Sequence, residues 1–215
     1  MKKNDGNQPR IIGLTGAYCA GKNHVARLFE ARGVPVLDVD KLGHHVLEIE
    51  RDAVAARFGS LVLGPDGAVD RRRLGAVVFG NPEELAALEG IVHPAVNRLT
   101  LEWIAGQEGR SCMVNAALLH KSAVFDLLDA VILVKAPVLT RLLRARKRDR
   151  LPWAELWKRF ASQREFTAQY FSRKSDIYTI YNRGCTSVST CFWRGSLEKQ
   201  AALAAARLGI LGMVL

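Results

Sequence analysis

The chain has 215 residues, 49% hydrophobic and 24% charged, with 31 Lys and Arg against 21 Asp and Glu for a net charge of +10. That length buries a sizeable core without disulfide or metal staples, and the composition excludes a disordered or collagen-like polymer. No apolar run is long enough to cross a bilayer, and the polar opening MKKNDGNQPR lacks the apolar segment of a secretory signal, so a cytoplasmic protein with reduced thiols at Cys19, Cys112, Cys185 and Cys191 is expected.

The first predicted elements are a short apolar strand, Ile11 to Thr15, and a helix whose apolar face is Val25, Leu28 and Phe29. Between them, Gly16-Ala-Tyr-Cys-Ala-Gly21-Lys22 has the G-x-x-x-x-G-K spacing of a phosphate-binding loop, with Asn23 where Ser or Thr is usual. Gly16 and Gly21 permit backbone angles that side chains oppose. Successive N–H groups can then converge on phosphate oxygens, and the N-terminus of the following helix adds its positive dipole end. Lys22 supplies a point charge. The strand before and helix after make an ordinary glycine-rich turn the weaker reading.

The run Val34 to Leu37 reads as a second buried strand ending in Asp38 and Asp40. Strand alternation would turn these carboxylates to opposite sides. Lys41 to Phe58 reads as one helix stopped by Gly59, and Gly64-Pro-Asp-Gly67 as a turn. From Arg72 to Ala105 the pattern is largely helical, with Asn81 as a cap, Pro82 in the first turn and Pro94 as a kink or break. Cys112 to Val114 and Ala130 to Val134 suit buried parallel strands. A basic helix follows, Arg141 to Arg150, then a helix with Trp153, Leu156, Trp157 and Phe160. Ile177 to Tyr181 reads as the last strand, Asn182-Arg-Gly184 as a turn, Ser196 as the cap of a terminal helix reaching Leu208, and Ile210 to Leu215 as an apolar tail. Strands alternating with helices give an α/β fold: a P-loop NTPase with a five-stranded parallel sheet and helices on both faces.

Several of these stretches together resemble the dephospho-CoA kinase family. The loop GLTGAYCAGK is similar to its GLTGGIGSGK, and Leu37-Asp38-Val39-Asp40 to its I-D-A-D. Phe58-Gly59, Asp66-Gly67 and Asp70-Arg71 through Leu74 and Phe79 resemble its middle block, and Leu88-Glu89-Gly-Ile91-Val-His93-Pro94 its L-E-x-I-x-H-P. Arg148-Asp149, Ala161-Ser162-Gln163, Asp176 and Asn182-Arg-Gly184 fall where the family carries R-D, A-S-Q and its late motif. Cys19 stands at a family Gly, and Asn115, Ala117 and Lys121 at its Asp, Pro and Glu.

The resemblance implies one kinase domain over residues 1–215, with a helical acceptor-side insert at about 42–108 and a lid at about 141–170. It implies ATP-dependent phosphorylation of the ribose 3′-hydroxyl of dephospho-CoA, with Mg²⁺. Asp40 is then the candidate base beside catalytic Lys22; the competing reading of Asp40 is a helix N-cap. ATP would be held by Gly16, Cys19, Ala20, Gly21, Lys22, Asn23 and His24, with Arg144, Arg148 and Asn182 from later in the chain. Asp38 and His93 fall to the acceptor, although a partly buried structural histidine is the commoner case for His93. Asn23 offers an amide oxygen to the metal. Cys19, in an electropositive loop, reads as the most reactive thiol or as an inert packed one. Trp153 and Trp157 read as packing, and adjacent His44 and His45 as unsuited to a shared metal.

The positive charge favours anionic partners, here small phosphate-rich substrates. Outside the lid no basic stripe suits nucleic acid. No membrane partner is expected, and the chain reads as a monomer or weak homo-oligomer. The rival functions are another small-molecule P-loop kinase, a basic nucleic-acid-binding NTPase, and an ATP-binding remnant.

Overall fold

A computed structural model describes residues 8–161, 176–183 and 192–210. The chain divides into two compact units, one of residues Met1–Leu37 and Ile104–Leu215, the other of Asp38–Trp103.

The first unit is built on a five-stranded sheet of order β2-β3-β1-β4-β5. Its strands are β1 (Ile11–Gly16), β2 (Val36–Asp38), β3 (Cys112–Asn115), β4 (Ala130–Lys135) and β5 (Asp176–Tyr181). All run parallel, as expected. β1 is central, with Ile12 beside Met113 on one side and Ala130 on the other. β2 is the edge strand and only partly buried, which is why the expected buried run shrinks to three residues.

Alternation along β1 sorts its two faces. Ile12 and Leu14 point to the face covered by α1 (Lys22–Glu30) and the terminal helix α8 (Phe192–Arg207). Val25, Ala26 and Phe29 of α1 meet Leu197, Ala201, Ala204, Ala205 and Leu208 there. Full burial of a side chain such as Phe29 contributes about 1.5–3 kcal/mol. On the other face, a Cβ at Gly13 would fall 2.5 Å from Leu119 Cδ2 and 2.7 Å from Leu128 Cδ1. The glycine lets the short helical turns between β3 and β4 lie directly on the strand.

Beyond β4, α6 (Val138–Asp149) and α7 (Trp153–Ala161) pack through Leu142, Ala145, Leu156 and Phe160. Trp153 and Trp157 are exposed rather than packed. They have the same i, i+4 spacing as Leu156 and Phe160, but the second pair faces the neighbour. Trp153 instead lies under the Arg146 guanidinium, 5.5 Å from its ring centre. α8 begins four residues before Ser196, so Ser196 is inside the helix and not its cap. Ser162, Gln163, Gly184, Cys185, Cys191 and the tail beyond Ile210 lie outside the described residues.

The second unit is helical. The single helix expected over Lys41 to Phe58 is two, α2 (Val39–Ile49) and α3 (Arg51–Phe58), with Glu50 at φ −91°, ψ 19° between them. A 3-10 turn, Ser60–Val62, and an antiparallel bridge between Leu63 and Val69 follow. The Gly64-to-Gly67 turn closes with Gly67 N on Gly64 O at 3.0 Å. α4 (Arg71–Val78) leads to α5 (Pro82–Ala105), whose first turn is capped by Asn81 Oδ1, as expected. Pro94 does not break α5. Gly90 and Pro94 are both exposed, so the carbonyl that Pro94 leaves without an N–H partner can be solvated. Two apolar groups hold the unit: Val54, Val62, Val69, Leu74 and Val78, and then Val46, Ala95 and Val96. Among the described residues no helix is long and apolar enough to cross a membrane.

Asp70 caps α4, its Oδ1 accepting from Arg72 N at 2.9 Å and Arg73 N at 3.2 Å. The backbone bond from Arg73, then that from Arg72, holds its carboxyl below the ordinary carboxylate range. A depressed native pKa stabilises above the unfolded value and is lost as pH falls through the native one. Asp70→Ala should therefore lower Tm at pH 7, with the gap to wild type narrowing below about pH 4. Asp70→Asn should retain most of the cap. Melting curves across pH 3–8 check this; a gap constant with pH would refute the charge contribution.

Candidate active site

The phosphate-loop pattern lies where the sheet's centre meets its first helix. Gly16 ends β1 with Val134 O so near that a Cβ would sit 2.7 Å from it. Ala20 N bonds Ala17 O at 2.9 Å, turning the loop back. Cys19 takes a left-handed φ of +58° and Gly21 one of +96°. A side chain at such an angle costs roughly 1–2 kcal/mol, which explains why a glycine suits position 19 and shows that Cys19 bears strain. Gly21 is the N-cap of α1, and no side chain caps that helix or places an acid in its first turn. An uncapped helix N-terminus after left-handed turns suits an anion. Lys22 and His24 are half-buried and Asn23 is exposed.

Residues far along the chain hold this loop. Asn182, just past β5 and 8% exposed, donates from Nδ2 to Ala20 O at 2.9 Å. Its own N–H bonds Lys135 O at 2.7 Å. Arg144 of α6 donates from one terminal nitrogen to Cys19 O at 3.3 Å and Ala20 O at 3.2 Å, and from the other to Asn182 Oδ1 at 3.0 Å. Burial lowers the Arg144 pKa, with Cys19 acting the other way; the guanidinium still stays charged. A Cβ on Gly21 would lie 2.1 Å from Asn182 Nδ2, so this clamp needs glycine at 21.

Arg148 lies over the Tyr18 ring at 5.0 Å and bonds Asp149 at 2.7 and 3.2 Å. The Tyr18 hydroxyl donates to the same carboxylate. Arg141, absent from the sequence-based choices, is half-buried over the Phe160 ring at 4.9 Å. Tyr18 and Cys19 pack onto the cluster of α6 and α7. Tyr18 was also missed, although an aromatic residue within a loop of small residues is a visible anomaly; Asp149 was noted only within the R-D match.

Asn115 ends β3, buried at 1% exposure. Its Nδ2 donates to Asn23 Oδ1 at 3.2 Å. Its Oδ1 is buried without a partner among the described residues. Among those residues no group of three His, Cys, Asp or Glu side chains could hold a metal, His44 and His45 included.

The acceptor-side candidates lie at or within the second unit. Asp38, not Asp40, is the N-cap of α2, accepting from Lys41 N at 3.2 Å. Asp40 is exposed in the helix's first turn, so strand alternation does not apply to it and the cap reading moves to Asp38. His93 is exposed on α5, not the partly buried histidine of the commoner case. This unit has its own cleft of about 620 Å³, lined among others by His44, Leu47, Arg71, Leu74, Val78 and Phe79.

Residues 10–179 match the family model of dephospho-CoA kinase. A dephospho-CoA kinase of Treponema pallidum is 31% identical over 212 residues, covering 94% of this chain and 97% of its own. One from Anaeromyxobacter dehalogenans is 41% identical over 160 residues, covering 72% and 76%. The crystal structure of TT1252 from Thermus thermophilus superposes with a TM-score of 0.76 at 32% identity, over 95% of this chain and 99% of that one. With a central strand feeding a glycine loop and a match over most of its length, the chain belongs to the dephospho-CoA kinase family.

Proposed function

We propose that the chain transfers the γ-phosphoryl group of ATP to the ribose 3′-hydroxyl of dephospho-CoA, giving CoA in the last step of coenzyme A biosynthesis. The observation that carries this reading is the left-handed turn at Gly21 into an uncapped α1, clamped by Arg144 and Asn182, in a chain that follows that family's model.

Phosphoryl transfer asks a protein for positioning and charge rather than covalent chemistry. In this reading the loop from Gly16 to Gly21, with Cys19 and Ala20 in it and Asn23 and His24 after it, holds the ATP phosphates. The Lys22 ammonium follows the transferring group. Arg144 keeps the loop in shape, Arg148 adds positive charge from the lid, and Asn182 lies on the ATP side.

A divalent cation fits this end of the sheet through oxygen: Asn23 carries an amide oxygen, and the unpartnered Asn115 Oδ1 lies behind it. When bound, Mg²⁺ would offset charge on the β- and γ-phosphates.

The Asp40 carboxylate orients the 3′-hydroxyl and takes its proton as the new O–P bond forms and ADP leaves. Asp38 shapes the turn before it, and His93 belongs to the acceptor side. We assign the diphosphate and the arm of dephospho-CoA to the second unit's cleft, where arginines border an apolar floor. The insert at about 42–108 and the lid at about 141–170 are parts of the same reading, as are a cytoplasmic location and no nucleic-acid partner.

With Mg-ATP and an acceptor panel, dephospho-CoA should be phosphorylated faster than AMP, shikimate or nucleosides; faster turnover of AMP would overturn the assignment. Lys22→Ala should lower kcat by at least about a hundredfold with an unchanged circular dichroism spectrum. Asp40→Asn should reduce kcat far more than ATP affinity and leave Tm near wild type. Asp38→Ala should instead destabilise, by about 1 kcal/mol for a lost cap. If Asp40→Asn lowers Tm and spares kcat, the base role is wrong.

A further inference from the structure

Tyr18 is the one aromatic residue of the phosphate loop, and the transfer as proposed gives it no part. The similar loop GLTGGIGSGK has Ile at this place, so a hydroxyl here belongs to this chain. The Tyr18 ring stands edge-on to the buried Phe160, with ring centres 5.6 Å apart and planes at 82°. Over the same ring lies the Arg148 guanidinium, 5.0 Å from its centre. The Tyr18 hydroxyl donates to Asp149 Oδ2. Arg148 donates to that carboxylate from Nε at 2.7 Å and from a terminal nitrogen at 3.2 Å. A closed circuit results, from ring to guanidinium to carboxylate to hydroxyl, and it is anchored on the loop.

An ion pair alone would not hold Arg148 in this way. Adjacent residues on a helix do not face each other, and a pair with an exposed partner contributes little. The Arg148 side chain is 59% exposed and long, so Asp149 by itself would leave it many rotamers. Tyr18 restricts them from two directions. Its ring covers one face of the guanidinium, and its hydroxyl fixes the carboxylate that grips the Nε edge. A guanidinium has five N–H donors, and the Asp149 pair takes two of them on one edge. The remaining edge, with the other terminal nitrogen, is turned away from Asp149. It is the planar fork that suits a phosphate.

We propose that Tyr18 is a positioning residue for phosphoryl transfer: it fixes the Arg148 guanidinium to the phosphate loop, so that the charge on the transferring group is met by an arginine already in place. This rests on the reading of Arg148 as the lid charge that acts on that group. Orientation set before the nucleotide arrives acts on the transfer step, because no part of it has to be ordered during reaction. ADP lacks the transferring group, so the device governs turnover and not ADP affinity.

The test uses the intact chain, with Mg-ATP and dephospho-CoA for kcat and calorimetry for ADP. Tyr18→Phe keeps the ring between Phe160 and Arg148 and deletes only the hydroxyl. It should lower kcat about tenfold, as for a guanidinium displaced by a fraction of an ångström, and shift the ADP Kd by less than about twofold. Tyr18→Ile, the residue of the similar loop, should lower kcat further with the ADP Kd again held. Both losses of kcat should vanish in an Arg148→Ala background, where nothing is left to position, while any change in Tm persists there. Equal losses with and without Arg148 overturn the proposal, as does a Tyr18→Phe chain with kcat intact. A fall in ADP affinity that matches the fall in kcat also overturns it, since Tyr18 would then shape the loop and not the arginine. If Arg148→Ala alone keeps the wild-type kcat, the guanidinium has no part in transfer and the proposal fails with it. A wild type that does not phosphorylate dephospho-CoA overturns the functional reading itself, and is distinguished by that.

Discussion

The Ala20 carbonyl is the point on which the loop's shape depends. It accepts from Asn182 Nδ2 at 2.9 Å and from Arg144 at 3.2 Å. In a trans peptide the C=O and the following N–H point opposite ways, so this clamp turns the Gly21 N–H away from α6 and β5. One tie made outside the loop therefore aims a donor inside it. The requirements spread from there. Position 21 must lack a Cβ, Asn182 must sit at the end of β5, and a guanidinium must be held half-buried.

The basic helix shows how the molecule tolerates crowded positive charge. Arg141, Arg146 and Arg148 each lie over an aromatic ring, of Phe160, Trp153 and Tyr18. Such contacts contribute about 0.5–1 kcal/mol when exposed and more when desolvated, enough to offset repulsion between neighbouring guanidinium groups. Arg148 also has the Asp149 carboxylate. Because Tyr18 belongs to the loop and shares that carboxylate, the end of α6 is bound to the loop as well as to α7.

Much of this was legible in residue order. The spacing of Gly16, Gly21 and Lys22 is a local signal, and so are Asn81 as a cap and the alternation in β1. What escaped has physical causes. Glu50 breaks a helix without a glycine or proline to mark it, because the break is set by packing on both sides. Asp38 and Asp40 are both plausible caps, and only the point at which strand becomes helix decides between them. Arg144 was singled out with Arg148 for the ATP side, but its partners are over a hundred residues away at Cys19 and Ala20, and no local pattern encodes such a pairing. The Asn115–Asn23 bond is equally non-local.

The placement of β1 at the centre of the sheet has a consequence for synthesis. Both of its neighbours, β3 and β4, come after the whole Asp38–Trp103 unit. β1 therefore leaves the ribosome with nothing to pair with until the chain passes residue 112. At about 5–20 residues per second, the interval from β1 to β3 is on the order of ten seconds. Through that time Ile12 and Leu14, fully buried in the finished protein, belong to an open apolar strand. The second unit is continuous and largely helical, so its contacts are mostly local and suited to rapid formation. The order of emergence leaves the nucleotide loop among the last features to reach its final shape, since its clamp waits for Asn182.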